Sequence, residues 1–193
     1  MFNAQSQPIS CSIEATVIRA DGTREELGTI SYWHKDPWKQ FQWFVKNNSE
    51  FKYLTGSKYP PIAGGATLQV NGGRGIVTAR LRAVGTEPLN IGWGTGAGTT
   101  AAADTTLFTE ALVSMAAGTT DHTVGTSSQQ TTTTTNDTYR VTGTRTATAA
   151  GTVTNAGLWD AASGGTLFMK GDFTGIALAN GDAIAFTMNI QYS

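Results

Sequence analysis

Two histidines, His34 and His122, are the chain's only side chains whose ordinary titration falls near neutral pH. His122 stands beside Asp121 in TTDHTVG, a pairing that general-base catalysis can use, but no GxSxG elbow or other nucleophile motif accompanies it. The expectation for His122 is therefore a surface loop, and for His34, which adjoins Trp33, a turn. Asp160, Asp172 and Asp182 each neighbour glycine or alanine and read as turn residues whose carboxylates bond the local backbone. A glycosidase pair would need two of them about 5 to 9.5 Å apart, which only the fold can arrange. The run Gly92-Trp93-Gly94-Thr95-Gly96-Ala97-Gly98 has the glycine density of a phosphate loop. It lacks both GK[ST] and a third glycine opening a helix with an acidic residue downstream, so it reads as a corner where backbones approach closely. The lone Cys11 excludes an intramolecular disulfide and a cysteine-built zinc site. No catalytic residue, cofactor or metal is assigned.

Composition narrows the classes further. Charged residues are 14% of the 193, against about 25% in an ordinary soluble domain, while glycine numbers 23 and threonine is about one residue in six. Such a surface is wetted by hydroxyls and backbone more than by ions. A net charge of −1 argues against a nucleic-acid binder, which needs an excess of Lys and Arg on one face. The N-terminus has neither a basic n-region nor an apolar h-region, and no stretch reaches the 18 or so apolar residues of a membrane span. Synthesis in a host cytoplasm, without membrane insertion, is the expectation.

The elements that must position these residues fall into two regions. Up to Arg82 there are ten basic and six acidic residues, a balance of +4; from Ala83 onward there are three basic and eight acidic, a balance of −5. Pro60-Pro61 and Gly64-Gly65 favour an irregular connection near the boundary. The reading is an N-terminal hairpin-helix docking region over residues 1–58 and a β domain over 59–193. In the first region Asp21-Gly22 separates two strand-like runs, the pattern of a tight hairpin. Asp36 and Pro37 then open a short amphipathic helix as N-cap and first residue, with Trp38, Phe41, Phe44 and Val45 on one face. The cluster Trp33, Trp38, Phe41, Trp43 and Phe44 has two readings: the core face of a small unit, or a surface that docks on a partner. In the second region GIVTARLRA and TYRVTGTRTATAA read as strands by β-branched content. SSQQTTTTT reads as an edge strand or exposed loop. Ile184, Phe186, Met188, Ile190 and Tyr192 alternate with small or polar residues, a strand with one buried face. With glycine-rich turns between such runs, the predicted class is mainly β, a sandwich or jelly roll.

Two segments carry a resemblance. Pro88 to Gly96 has the form P-x-x-I-G-W-G-T-G, followed by Asp104 to Glu110 as D-T-x-L-x-x-E. Thr152 to Ala161 has the form T-x-x-x-x-G-L-W-D-A, and Gly164 to Leu167 the form GG-x-L ahead of the alternating C-terminal strand. Over residues 75–193 this pattern resembles structural proteins of tailed bacteriophages, with Asn155 where such proteins often carry a glutamate. The resemblance implies a non-enzymatic virion β domain: head decoration or cement, head fibre, or tail-associated. The expected function is a capsid decoration protein that binds the major capsid protein through its N-terminal region and assembles as a homotrimer or other homo-oligomer. The alternative is a tail or fibre component whose β domain binds a host receptor or glycan. An enzyme such as a depolymerase lacks a recognisable constellation.

Overall fold

A computed structural model of the chain describes residues 9–33 and 67–192. The strands are β1 (Ile9–Ile18), β2 (Arg24–Trp33), β3 (Thr67–Gln69), β4 (Asn90–Gly94), β5 (Glu110–Ala111), β6 (Thr123–Val124), β7 (Thr126–Gln130), β8 (Thr138–Thr146), β9 (Gly151–Trp159), β10 (Leu167–Leu178) and β11 (Ala183–Tyr192), with one helix, α1 (Asn71–Leu81). They build the predicted β-sandwich. One antiparallel sheet has the order β2-β1-β11-β8-β7 and the other β3-β10-β9-β4-β5, with β6 also paired to β4. Between the sheets, Ile13, Ile184, Phe186, Met188 and Ile190 of the first pack with Ile91, Trp93, Leu158 and Met169 of the second, each at most 1% exposed. Burial of one such side chain contributes about 1.5–3 kcal/mol. The alternation expected at the C-terminus holds for Ile184, Phe186, Met188 and Ile190, which face this core from β11; Tyr192, expected with them, is 37% exposed, and Asn189 and Gln191 on the other face are buried. SSQQTTTTT supplies the edge strand β7 and the exposed loop after it.

The Asp21-Gly22 hairpin forms as its sequence dictates. Gly22 takes φ 83°, and the Asp21 carboxylate accepts from the Thr23 N–H and hydroxyl. Its place in the molecule differs from the expectation of a separate docking region ending at residue 58. β1 pairs with β11 in unbroken register from Ile9↔Tyr192 to Ile18↔Ala183, and Cys11, Ile13, Ala15 and Val17 fill the core. The hairpin is part of the sandwich, because its one apolar face finds the inter-sheet layer.

GIVTARLRA was expected as a strand and is instead mostly α1 and its C-cap. Packing overrides the β-branched residues here. An added Cβ at Gly73 would lie 2.2 Å from the Phe168 carbonyl oxygen, so only glycine lets the first turn rest on β10 while Ile76 reaches the core. Val84 N–H bonds Ala79 O and Ala83 N–H bonds Arg80 O, a Schellman ending with Ala83 at φ 58°. The amphipathic helix expected near residues 36–46 lies outside the described residues.

Asp182, in the β10–β11 turn, joins that turn to the first hairpin. It accepts N–H bonds from Ala179 and Ala20 and an Arg19 Nη1 bond at 2.8 Å. The Ala179 N–H first, then Arg19 and the Ala20 N–H, hold its carboxyl below the usual carboxylate range. A pKa depressed by folding contributes stability above the unfolded value that is lost as pH falls through the folded one. Melting temperature should therefore drop as pH falls below about 4. Asp182→Asn should lower the melting temperature at neutral pH and flatten that acid dependence, and an unchanged slope in scanning calorimetry would refute the assignment.

Candidate functional site

The glycine-rich run occupies β4 and the corner after it, and its alternation separates two environments. Ile91 and Trp93 point into the core, both 0% exposed, while Gly92 and Gly94 point away from it. The chain between β4 and β6 lies directly against that outward face. An added Cβ at Gly94 would stand 2.4 Å from the Phe108 carbonyl oxygen and 2.6 Å from Asn155 Oδ1. Asn155 supplies the matching bonds: Oδ1 accepts from Phe108 N–H at 3.0 Å, and Nδ2 donates to Gly96 O and Phe108 O, both at 3.1 Å. Asp172 accepts from Thr100 N–H at 2.7 Å, and Lys170 Nζ bonds Asp104 Oδ2 at 2.9 Å. Val70, Leu107, Trp159 and Leu167 form a second apolar cluster in this outer layer.

At the far end of the layer His122 is buried, contrary to the expected surface loop. Its ring stacks on Trp159 with centroids 5.0 Å apart. Nδ1 lies 2.9 Å from Ala161 O and Nε2 2.5 Å from Glu110 Oε1. A carbonyl oxygen only accepts, so Nδ1 donates to Ala161 O, and Nε2 is engaged by Glu110. Neither ring nitrogen is left with a free lone pair, and the residue acts as a pin between β5 and the segments before β6 and after β9. Its neighbours are engaged too. Arg145, 1% exposed on β8 of the opposite sheet, sends its guanidinium across the core to Asp121 Oδ1, to Asp121 O and, at 3.0 Å, to Ala111 O. It also lies 4.8 Å above the Trp93 ring. Burial pulls the Arg145 pKa below its ordinary value, opposed by the bond to Asp121.

The three aspartates read as turn residues divide. Asp160 accepts from Thr166 N–H across the β9–β10 turn, and Asp182 lies in the β10–β11 turn. Asp172 is instead in the middle of β10 and holds a neighbouring loop, because the glycine before it marks a close approach to the core and not a turn. None of the three hydrogen-bonds another. Of the docking cluster, Trp33 ends β2, while Trp38, Phe41, Trp43 and Phe44 lie outside the described residues. Sequence reasoning missed Arg145 and Lys170. The signal for Arg145 was its place on the inward parity of a strand whose other face carries threonines; nothing comparable marked Lys170.

Substitution at Gly94 tests the layer directly. Gly94→Ala should force the loop at Phe108 away from β4 and cost about 1–3 kcal/mol, as overpacking does. Faster proteolysis within residues 95–109 would accompany it, and a stable, equally resistant variant would show that the loop is not seated on the glycine. Comparison with family models, with curated proteins and with solved structures gave no match.

Proposed function

We propose that the chain is a non-enzymatic structural protein of a bacteriophage virion, a capsid decoration or cement protein anchored through its N-terminal region. The observation that carries this reading is the outer layer of the sandwich. There the ionisable residues of the phage-like segments act on the protein itself: Asp104 on Lys170, Glu110 on His122, Asp160 on the Thr166 N–H. These contacts suit a rigid shell component more than a site that must admit substrate. Trp33, Trp38, Phe41, Trp43 and Phe44 supply the anchor for the coat lattice, aromatic residues being enriched among interface hot spots. The basic balance up to Arg82 steers docking onto an acidic partner surface. Leu81 at 83% exposed and Val124 at 63% are apolar groups that copies in a homotrimer or other homo-oligomer would cover. The test is the copy number in purified virions, measured against the major capsid protein. Stoichiometry on the scale of the coat lattice is expected; a handful of copies per particle would overturn the cement role in favour of a tail or fibre component.

A further inference from the structure

Lys170 sits in surroundings unlike those of an ordinary ion pair. On β10 it shares with Asp172 the face turned away from the core, since Gly171 between them points inward, where an added Cβ would meet Ile13 at 2.8 Å. Lys170 is 0% exposed, and its partner across the ladder is Gly157, which has no side chain to place beside it. Nζ lies 2.9 Å from Asp104 Oδ2, 3.0 Å from Thr106 O and 3.0 Å from the centroid of the Phe108 ring. Burial pulls the Lys170 pKa below its ordinary value against the pull of Asp104. Burial also pushes the Asp104 carboxyl up, but the bonds from Lys170 and the Ala101 N–H outweigh it and hold it low. The resting pair is thus ammonium and carboxylate. One proton moved along their shared hydrogen bond gives the neutral amine and carboxylic acid, a buried lysine being the kind that becomes a nucleophile.

We propose that this contact is a covalent modification site, where Lys170 and Asp104 condense into an isopeptide cross-link. Lys170 Nζ attacks Asp104 Cγ, an N–C bond forms, and one C–O bond of the carboxyl breaks. Of the three ammonium protons one stays on the amide nitrogen and two leave with the oxygen as water; nothing is oxidised or reduced. The proton leaving the nitrogen of the tetrahedral intermediate passes to the departing oxygen along the contact that Nζ and Oδ2 already share. Holding amine and carboxyl in contact supplies an effective concentration of roughly 10⁵ M or more; the Phe108 ring and the burial of Lys170 shield the amine, while the Asp104 side chain, 21% exposed, leaves a way out for the released water. The bond joins residues 66 apart and clamps the loop after β4 to β10. In a chain whose single cysteine cannot form an internal disulfide, it does what a disulfide does: it restricts the unfolded state.

Intact mass under denaturing conditions tests this on the full chain. The expected mass is one water below that of the sequence, and trypsin should yield a branched peptide joining residues 83–140 to 146–193, uncleaved at Lys170. Lys170→Arg keeps the charge but should restore the full mass. Asp104→Ala, which removes the reacting carboxyl, should likewise restore the full mass expected for its sequence. Full sequence mass in both fresh and aged wild-type protein would overturn the proposal. So would a water loss that maps to Asp21-Gly22 as a succinimide and not to the branched peptide.

Discussion

A chain that begins near Tyr59 is expected to fail to fold. It would lack β1, the neighbour of β11 over ten paired residues, together with the core residues Cys11, Ile13, Ala15 and Val17. Truncating a single fully buried Ile typically costs about 2–5 kcal/mol, and the whole of a domain's stability is about 5–15 kcal/mol. Losing four core residues, a ten-residue ladder and the Arg19 and Ala20 partners of Asp182 exceeds that margin. The truncated chain should be insoluble or lack a cooperative thermal transition. A sharp melt with native near-ultraviolet dichroism would show that β1 is dispensable. The consequence reaches the functional proposal, because removing the N-terminal region cannot separate anchoring from folding. Trp38→Ala with Trp43→Ala is the cleaner test of the anchor: it should weaken particle binding while the melting temperature of the sandwich holds.

Where local chemistry alone determines structure, the sequence was readable. Asp21-Gly22 needed a positive φ, and the apolar residues alternating from Ile184 to Ile190 needed one buried face; both are present, with Tyr192, the next in that series, exposed. The glycine corner was legible for the same reason, since a run of glycines around one tryptophan signals backbone approach. What was not legible depends on partners far along the chain. Val77 and Thr78 favour a strand by themselves, yet they lie in a helix because Gly72 and Gly73 fit against β10, about a hundred residues away. His122 looked like a loop residue because its partners, Glu110, Ala161 and Trp159, come from three segments that only the folded sheet assembles. Asn155 is intelligible only once the Gly96 and Phe108 backbone is laid over it. These segments therefore acquire a physical meaning of their own: glycines in β4 let the covering loop approach closely, and the carboxylates and the amide hold that loop down.

Arg145→Ala is expected to be the most damaging single substitution in the described residues. The guanidinium is a buried polar link between the two sheets, running from β8 to Ala111 of β5 and to Asp121 just before β6. Replacing it by alanine removes the guanidinium bonds to the Ala111 and Asp121 carbonyls, takes the cation from above Trp93 and opens a cavity the length of the lost side chain. Breaking a buried charged pair by deleting one partner costs about 3–5 kcal/mol, which for a chain of this size lowers the melting temperature by roughly 10 °C. The Asp121 side chain is 31% exposed, so water can reach its carboxylate, and Asp121→Asn should cost less than Arg145→Ala. Arg145→Met fills most of the volume and should recover part of the loss, the remainder being the lost guanidinium hydrogen bonds. Urea unfolding of the three variants separates these contributions. If Arg145→Ala loses less than about 1 kcal/mol, the link is a solvated surface pair in effect, and the sheets are held by their apolar layer alone.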